Sequence, residues 1–241
     1  MRCRIMYEDE SVLVAYKPAG LATQSAGVGQ ADAVSELKNY LAKASKGAER
    51  TAADKGAKGT LRQPYLGVVH RLDQPVEGLL AFAKTQGAAA ALTKELQKGT
   101  LNKTYQALVA GRPKESEGDL TDELWKDGNF VRVVTGRGKE YPDAKEARLH
   151  YRVLASDAEK SLIEVQIETG RFHQIRAQLA HAGMPILGDR KYGNASSEIL
   201  AKDMGLRGLA LYARTLELIH PVTKKKMHWE LMEKTIEWKD S

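Results

Sequence analysis

Two stretches of strict alternation constrain the fold of this chain more than any other feature. Ala147, Leu149, Tyr151 and Val153 alternate with Arg148, His150 and Arg152, and Ile163, Val165 and Ile167 alternate with Glu164, Gln166 and Glu168. A two-residue period sends apolar side chains to one face of a strand and polar ones to the other. That is the signature of antiparallel strands with one face on a core and one in water. Residues 12–16 (Val-Leu-Val-Ala-Tyr) read as a buried strand stopped by Lys17-Pro18-Ala19-Gly20. Residues 78–84, 105–110, 209–219 and 227–232 are also strand-like. Helices are expected at 31–43, with Val34, Leu37 and Leu41 on one face, at 88–98, closed by Gly99, and at 173–182, with Ile175, Leu179 and Ala182 turned to the core and Gly183 ending it. Residues 111–146 read as an irregular polar excursion with short strands. The sum is an α+β fold, a mostly antiparallel mixed sheet with flanking helices. No internal repeat, heptad or clear linker divides the chain, so residues 1–241 are expected to form a single domain.

Charge narrows the partner. The net charge is +6, a balance that attracts polyanions without identifying one. Its distribution says more. Between Lys43 and Arg71 stand Lys43, Lys46, Arg50, Lys55, Lys58, Arg62 and Arg71 against Glu49 and Asp54. Residues 44–63, rich in Lys, Ala and Gly without an apolar period, are expected to be a flexible basic loop that is either simply solvated or phosphate-contacting. Cys3 is the only cysteine, so no intrachain disulfide can form, which fits a reducing compartment. No apolar run approaches the roughly 20 residues of a membrane span, and no signal-peptide pattern opens the chain. The expected location is the cytoplasm, with no membrane partner.

Two runs offer chemistry. The first is His70-Arg71-Leu72-Asp73, followed after a short turn by the apolar Gly78-Leu79-Leu80; the second is Gly170-Arg171-Phe172-His173-Gln174-Ile175-Arg176. Asp73 alone reads as a turn or capping residue, but a carboxylate at the mouth of an apolar strand is better placed for a pocket than for packing. A buried carboxylate that stays ionised needs a cation beside it. Arg71 reads as a surface cation, a phosphate contact or a filler of the gap left by an extruded base. Periodicity alone makes Arg176 a helix-surface arginine. His173 and Gln174 suit capping or phosphate contact at a helix start. Tyr105 reads equally as a core aromatic and as a ring in a site. Lys17 lies in a turn and reads as structural or RNA-contacting. A metal could be assembled on paper from His70, Asp73, His173, His181 and Asp189, but no ligand spacing supports one, and Gly136-x-Gly138 lacks the helix that a phosphate loop requires.

Several separated motifs, in order along nearly the whole chain, resemble the RluA-type family of RNA pseudouridine synthases. They are Lys17-Pro18-Ala19-Gly20-Leu21, the H-R-L-D run, Lys103-Thr104-Tyr105, the Gly170–Arg176 run, Leu187-Gly188-Asp189-x-x-Tyr192-Gly193 and His220-Pro221. The resemblance implies the pseudouridine synthase catalytic fold. It implies Asp73 as nucleophile, Tyr105 as the active-site tyrosine and Arg176 as the ion-pair partner of Asp73. Arg71 would help extrude the target nucleotide, and His70, Lys17, Arg171, His173 and Gln174 would serve RNA binding. It further implies an isomerase acting on structured ribosomal or transfer RNA. Isomerisation needs no cofactor, no metal is expected from the ligand spacing, and the chain is expected to be a monomer. The chain departs from the family at Val76-Glu77, where a Thr-Ser pair or a close variant usually precedes the glycine; Glu77 sets a second carboxylate near Asp73. No S4-like domain is expected before the strand at Val12. Two other classes remain open at this point: an inactive RNA-binding protein of the same fold, and a metal-dependent hydrolase using Asp73.

Overall fold

Continuously apolar and alternating runs take different places in this computed structural model, which describes residues 1–25, 27, 29–48, 64–135 and 140–232. The chain divides into two compact units, residues 1–101 with 217–228 and residues 102–216 with the segment from Trp229 on.

In the first unit, β1 (Arg4–Glu8) pairs antiparallel with β2 (Val12–Lys17). β2 in turn pairs with β4 (Glu77–Ala83), Ala15 facing Leu80 and Lys17 facing Gly78, while β3 (Gly67–Val68) borders the end of β4. Val12 to Ala15 and Leu79 to Ala83 are buried at every position. An antiparallel strand with one wet face would alternate; these do not, so both of their faces are covered. The helices are α1 (Ala33–Ala48) and α2 (Gln86–Lys98). Thr85 caps α2 by accepting the Ala88 N–H, and Gly99 ends it at φ 70° with its own N–H on the last carbonyls. Helix α1 runs five residues past the expected end, because Lys and Ala propagate a helix readily even without an apolar face. The rest of the expected basic loop and the Gly136-x-Gly138 run lie outside the described residues.

The second unit contains β5 (Asn102–Ala110), β6 (Glu117–Asp127), β7 (Phe130–Val134), β8 (Lys145–Ser156), β9 (Lys160–Ile167), α3 (Gln174–His181), α4 (Ala195–Asp203) and most of β10 (Leu211–Ile219). The strand order is β10-β5-β9-β8-β6-β7. The two alternating segments pair with each other, Tyr151 opposite Val165 and Val153 opposite Ile163. The supposedly irregular excursion is instead a long hairpin, with β6 of 11 residues paired to both β7 and β8. Its strands carry few apolar residues because they stand half in water, so no clean period marks them. Helix α4 escapes a periodicity reading too, but Asn194 and Ser197 form a reciprocal capping box at its start. Strand β11 (Lys226–Glu230) follows β10. In the first unit β2 runs antiparallel to β1 and β4, and β3 to β4; in the second, β9 runs antiparallel to β5 and β8, and β6 to β7 and β8. The α+β expectation therefore holds. Among the described residues no helix is long and apolar enough to cross a membrane.

Candidate active site

Asp73 sits in the first unit at the end of a loop that is clamped on both sides. Before it, the Thr23 hydroxyl donates to the Leu72 carbonyl at 2.8 Å and accepts the Leu72 N–H at 3.1 Å. After it, the Gln74 carbonyl accepts the Gly20 N–H at 2.9 Å, and the Gln74 amide donates back to the Gly20 carbonyl. The Asp73 carbonyl accepts the Val76 N–H at 3.0 Å and closes the turn into β4. Gly20 holds φ 77°, a left-handed conformation that favours glycine, so the Lys17-Pro18-Ala19-Gly20 turn is built to reach this loop. Asp73 itself stays half-buried and Arg71 is exposed.

Lys17 completes the clamp from beneath. It has no exposed surface, and its Nζ donates to the carbonyls of Leu21 at 2.6 Å, Pro18 at 3.2 Å and Gln74 at 3.3 Å. Burial pushes its ammonium down to about 8, partly opposed by the carboxylates of Asp73 and Glu77. The expected RNA contact for Lys17 is thereby corrected: a side chain with no surface can only position the loop. His70 is also buried, and its Nε2 accepts the Ala81 N–H of β4 at 3.1 Å, which puts the ring proton on Nδ1. Glu77 receives the hydroxyl of Tyr16.

The second run opens α3 in the second unit. His173 precedes the helix at φ 51°, and Gln174 through Leu179 are all buried, so this helix is enclosed on every side rather than along one stripe. Ala182 is exposed at its end, contrary to the expected core position. Arg176 is likewise not a surface arginine. Its Nε donates to Asp189 Oδ2 at 2.7 Å and its Nη2 to Asp189 Oδ1 at 2.6 Å, with the two side chains 5% and 1% exposed. Asp189 Oδ1 also accepts the N–H groups of Lys191 and Tyr192. Burial opposes ionisation of Asp189, but the Arg176 guanidinium and these donors prevail and hold its carboxyl below the ordinary range.

The loop carrying Asp189 has no room for side chains at its glycines. A Cβ on Gly188, already at φ 73°, would stand 2.1 Å from the Gly208 carbonyl oxygen, and one on Gly193 2.4 Å from the Asp189 backbone carbonyl oxygen. Gln174 accepts the Arg171 N–H and the Thr169 hydroxyl and donates to the Arg148 carbonyl, so it builds the turn into the helix. Tyr105 lies on β5, buried and opposite Val165.

The structure thus gathers Lys17, His70, Arg71 and Asp73 around one loop, and Arg171, His173, Gln174 and Arg176 around one helix start. Of the nine expected residues, Arg71 and Arg171 are the exposed ones. Sequence reading passed over Thr23 and Asp189 as site-building groups. A threonine carries no local signal for such a role, whereas a buried arginine demands a carboxylate, and Asp189 stood in a glycine-flanked motif already singled out. Among the described residues no three His, Cys, Asp or Glu side chains assemble as metal ligands.

Residues 11–181 match the family model for RNA pseudouridylate synthase. The chain is 34% identical over 221 residues to the uncharacterized RNA pseudouridine synthase YhcT of Bacillus subtilis (strain 168), covering 91% of this chain and 65% of that protein. It is 35% identical over 234 residues to the ribosomal large subunit pseudouridine synthase D of Pseudomonas aeruginosa, covering 94% and 67%. The chain therefore spans about two thirds of the length of these relatives. In fold it resembles human RNA pseudouridylate synthase domain containing 4, with a TM-score of 0.71 at 24% identity over 94% of this chain and 87% of that one.

Proposed function

Since the chain belongs to the RNA pseudouridylate synthase family, we propose that it isomerises specific uridines to pseudouridine in structured RNA, acting as a single catalytic domain and a monomer in the cytoplasm. Ribosomal RNA is the favoured substrate, after relatives named for the large ribosomal subunit; transfer RNA is the second reading. Asp73 is the nucleophile, Tyr105 the active-site tyrosine, and Arg176 the ion-pair partner of Asp73. The observation that carries the reading is the doubly clamped Asp73 loop, in which a half-buried aspartate lies between two residues whose backbone groups are hydrogen-bonded, Leu72 to the Thr23 hydroxyl and Gln74 to the Gly20 N–H.

The chemistry requires no cofactor, because uridine and pseudouridine are isomers. The C1′–N1 bond breaks, the uracil turns, C5 bonds to C1′, and the proton on C5 is lost as N1 gains one. The target nucleotide must first leave its stack, at about a few kcal/mol. In this reading Arg71 and Arg171, both exposed, contact the RNA. Buried Lys17, His70 and Gln174 act through the loops they hold, and His173 through the start of α3.

The test is to map pseudouridine in total RNA from cells with and without the gene, and to add back Asp73→Asn. That variant keeps shape and removes charge, so it should bind RNA and form no pseudouridine. Turnover by a clean Asp73→Asn preparation would refute the assignment. Loss of activity in EDTA on an RNA that folds without Mg²⁺, restored by one divalent ion, would favour the hydrolase instead.

A further inference from the structure

The second unit exposes two phenylalanines that share one support. Phe172, 43% exposed, stacks on His173 with ring centroids 3.8 Å apart and planes 21° from parallel. Phe130, 48% exposed, meets the edge of Tyr192 at 6.2 Å. His173 and Tyr192 are themselves joined, Nδ1 to hydroxyl at 2.8 Å, and the same hydroxyl accepts the Val131 N–H of β7 at 2.8 Å. Both exposed rings therefore lean on a fixed His173–Tyr192 spine rather than on mobile side chains.

A single exposed apolar residue needs no explanation. Here each ring also carries an ammonium group. Lys126 Nζ stands 5.2 Å from the Phe172 centroid and Lys191 Nζ 4.9 Å from that of Phe130. Both lysines are exposed, as are Arg132 and Arg171 nearby in sequence. Lys191 Nζ also donates to the Asn129 carbonyl at 2.8 Å. Flat rings held rigid beside exposed cations fit a ligand with flat bases on an anionic backbone. Single-strand binding surfaces combine the same two elements: aromatic platforms that stack bases and basic groups that track phosphates. An acidic protein surface would satisfy the cations and leave the rings unused.

We propose that Phe130 and Phe172 are stacking platforms for unpaired nucleotides of the RNA substrate, with Lys126 and Lys191 leaving the rings to meet the adjacent phosphates. This rests on the RNA-modifying function proposed above. The surface adds grip on the strand beside the target, so it governs affinity and not the chemical step.

The experiment uses the full chain, a fluorescent short single-stranded oligouridylate as probe, and pseudouridine formation on substrate RNA as the second readout. Phe172→Leu and Phe130→Leu keep an apolar side chain and remove the stacking face. Each should weaken binding about tenfold, within the range seen for lost base stacking, and Phe172→Tyr and Phe130→Tyr should retain it. Lys126→Gln and Lys191→Gln should each lower the slope of log affinity against log salt by about 0.7. The turnover rate at saturating RNA should stay unchanged in all of them.

Wild-type affinity in the Phe130→Leu, Phe172→Leu double variant, with an unchanged melting temperature, would overturn the proposal. So would an equal loss of binding to polyglutamate, which offers charge without bases. The two readings separate cleanly. Pseudouridine formation with the same KM in the double variant leaves the synthase function standing and removes this surface. Ring-dependent oligonucleotide binding by a protein that forms no pseudouridine does the reverse.

Discussion

Replacing Asp189 by Asn tests how much of the arginine helix depends on one buried carboxylate. Oδ1 accepts three donors, Arg176 Nη2, Lys191 N–H and Tyr192 N–H, at 2.6, 2.9 and 3.2 Å; Oδ2 accepts one, Arg176 Nε, at 2.7 Å. An asparagine oriented with its oxygen at Oδ1 keeps three of these bonds. Its amide nitrogen then faces the Nε–H, donor against donor, and the negative charge is gone. Removing one partner of a buried ion pair costs about 3–5 kcal/mol, chiefly because the other charge is stranded. Because three bonds survive, about 3 kcal/mol is expected for Asp189→Asn and about 5 kcal/mol for Asp189→Ala. At about 2–4 °C per kcal/mol for a chain of this size, the asparagine variant should melt about 6–12 °C below wild type by circular dichroism. In the proposed reaction the turnover rate should fall with KM little changed, since buried Arg176 loses its orientation while the exposed arginines are untouched. The pH dependence has a sign as well. The folded carboxyl titrates below its unfolded value, so its contribution is complete above about pH 4 and fades as pH falls through the folded pKa. Asp189→Asn should lose that share of its acid sensitivity. A variant melting within about 2 °C of wild type and fully active would refute the claim that this pair organises α3.

Three further outcomes are expected. Burial alone pushes the Lys103 ammonium down to about 8, so above that pH the native state has released a proton that the unfolded chain still binds. Stability should rise with pH from about 8 towards about 10 by up to about 1.4 kcal/mol per unit, and urea titrations should show a flatter rise in Lys103→Met; parallel curves would contradict this. Gly188→Ala drives a Cβ to 2.1 Å from the Gly208 carbonyl oxygen at a φ of 73°, so a loss of several kcal/mol is expected, about 3 or more from strain and backbone displacement together, read as a lowered melting temperature. Burial pushes the Cys3 thiol up to about 11, so a thiol reagent near neutral pH should label it far more slowly in the folded protein than in denaturant; equal rates would count against the burial of this side chain.

The parts of the fold legible in the sequence are those where one physical demand acts at a time. β8 and β9 alternate because one face is wet, and Gly99 ends α2 because only a left-handed residue fits there. Strand β6 carries no such code, since its neighbours in the sheet decide its burial. At the candidate site the motifs marked loops that are tied down by long-range hydrogen bonds, but not which groups each side chain meets there. Lys17 and Arg176 are long, charged residues that by type belong on the surface. Their burial depends on carbonyls and a carboxylate supplied from Leu21, Gln74 and Asp189, partners that no local window contains together. Thr23 reaches across 49 positions to grip Leu72, which is equally invisible to periodicity.

The path of the chain carries a practical consequence. It leaves the first unit at Leu101, comes back at Glu217, and departs again after His228. The returning segment is fastened there, His220 to Asp9 at 2.7 Å and the Ile219 N–H to Glu95 at 2.8 Å. A protease nick in residues 102–216 would leave residues 1–101 and 217–228 on separate fragments still held by these bonds, whereas a gene truncated after Leu101 would encode a first unit with a missing piece. Expression fragments should be cut with that in mind. A peptide spanning 217–228, supplied in trans, is the natural reagent for asking whether the first 101 residues can fold once the piece is restored.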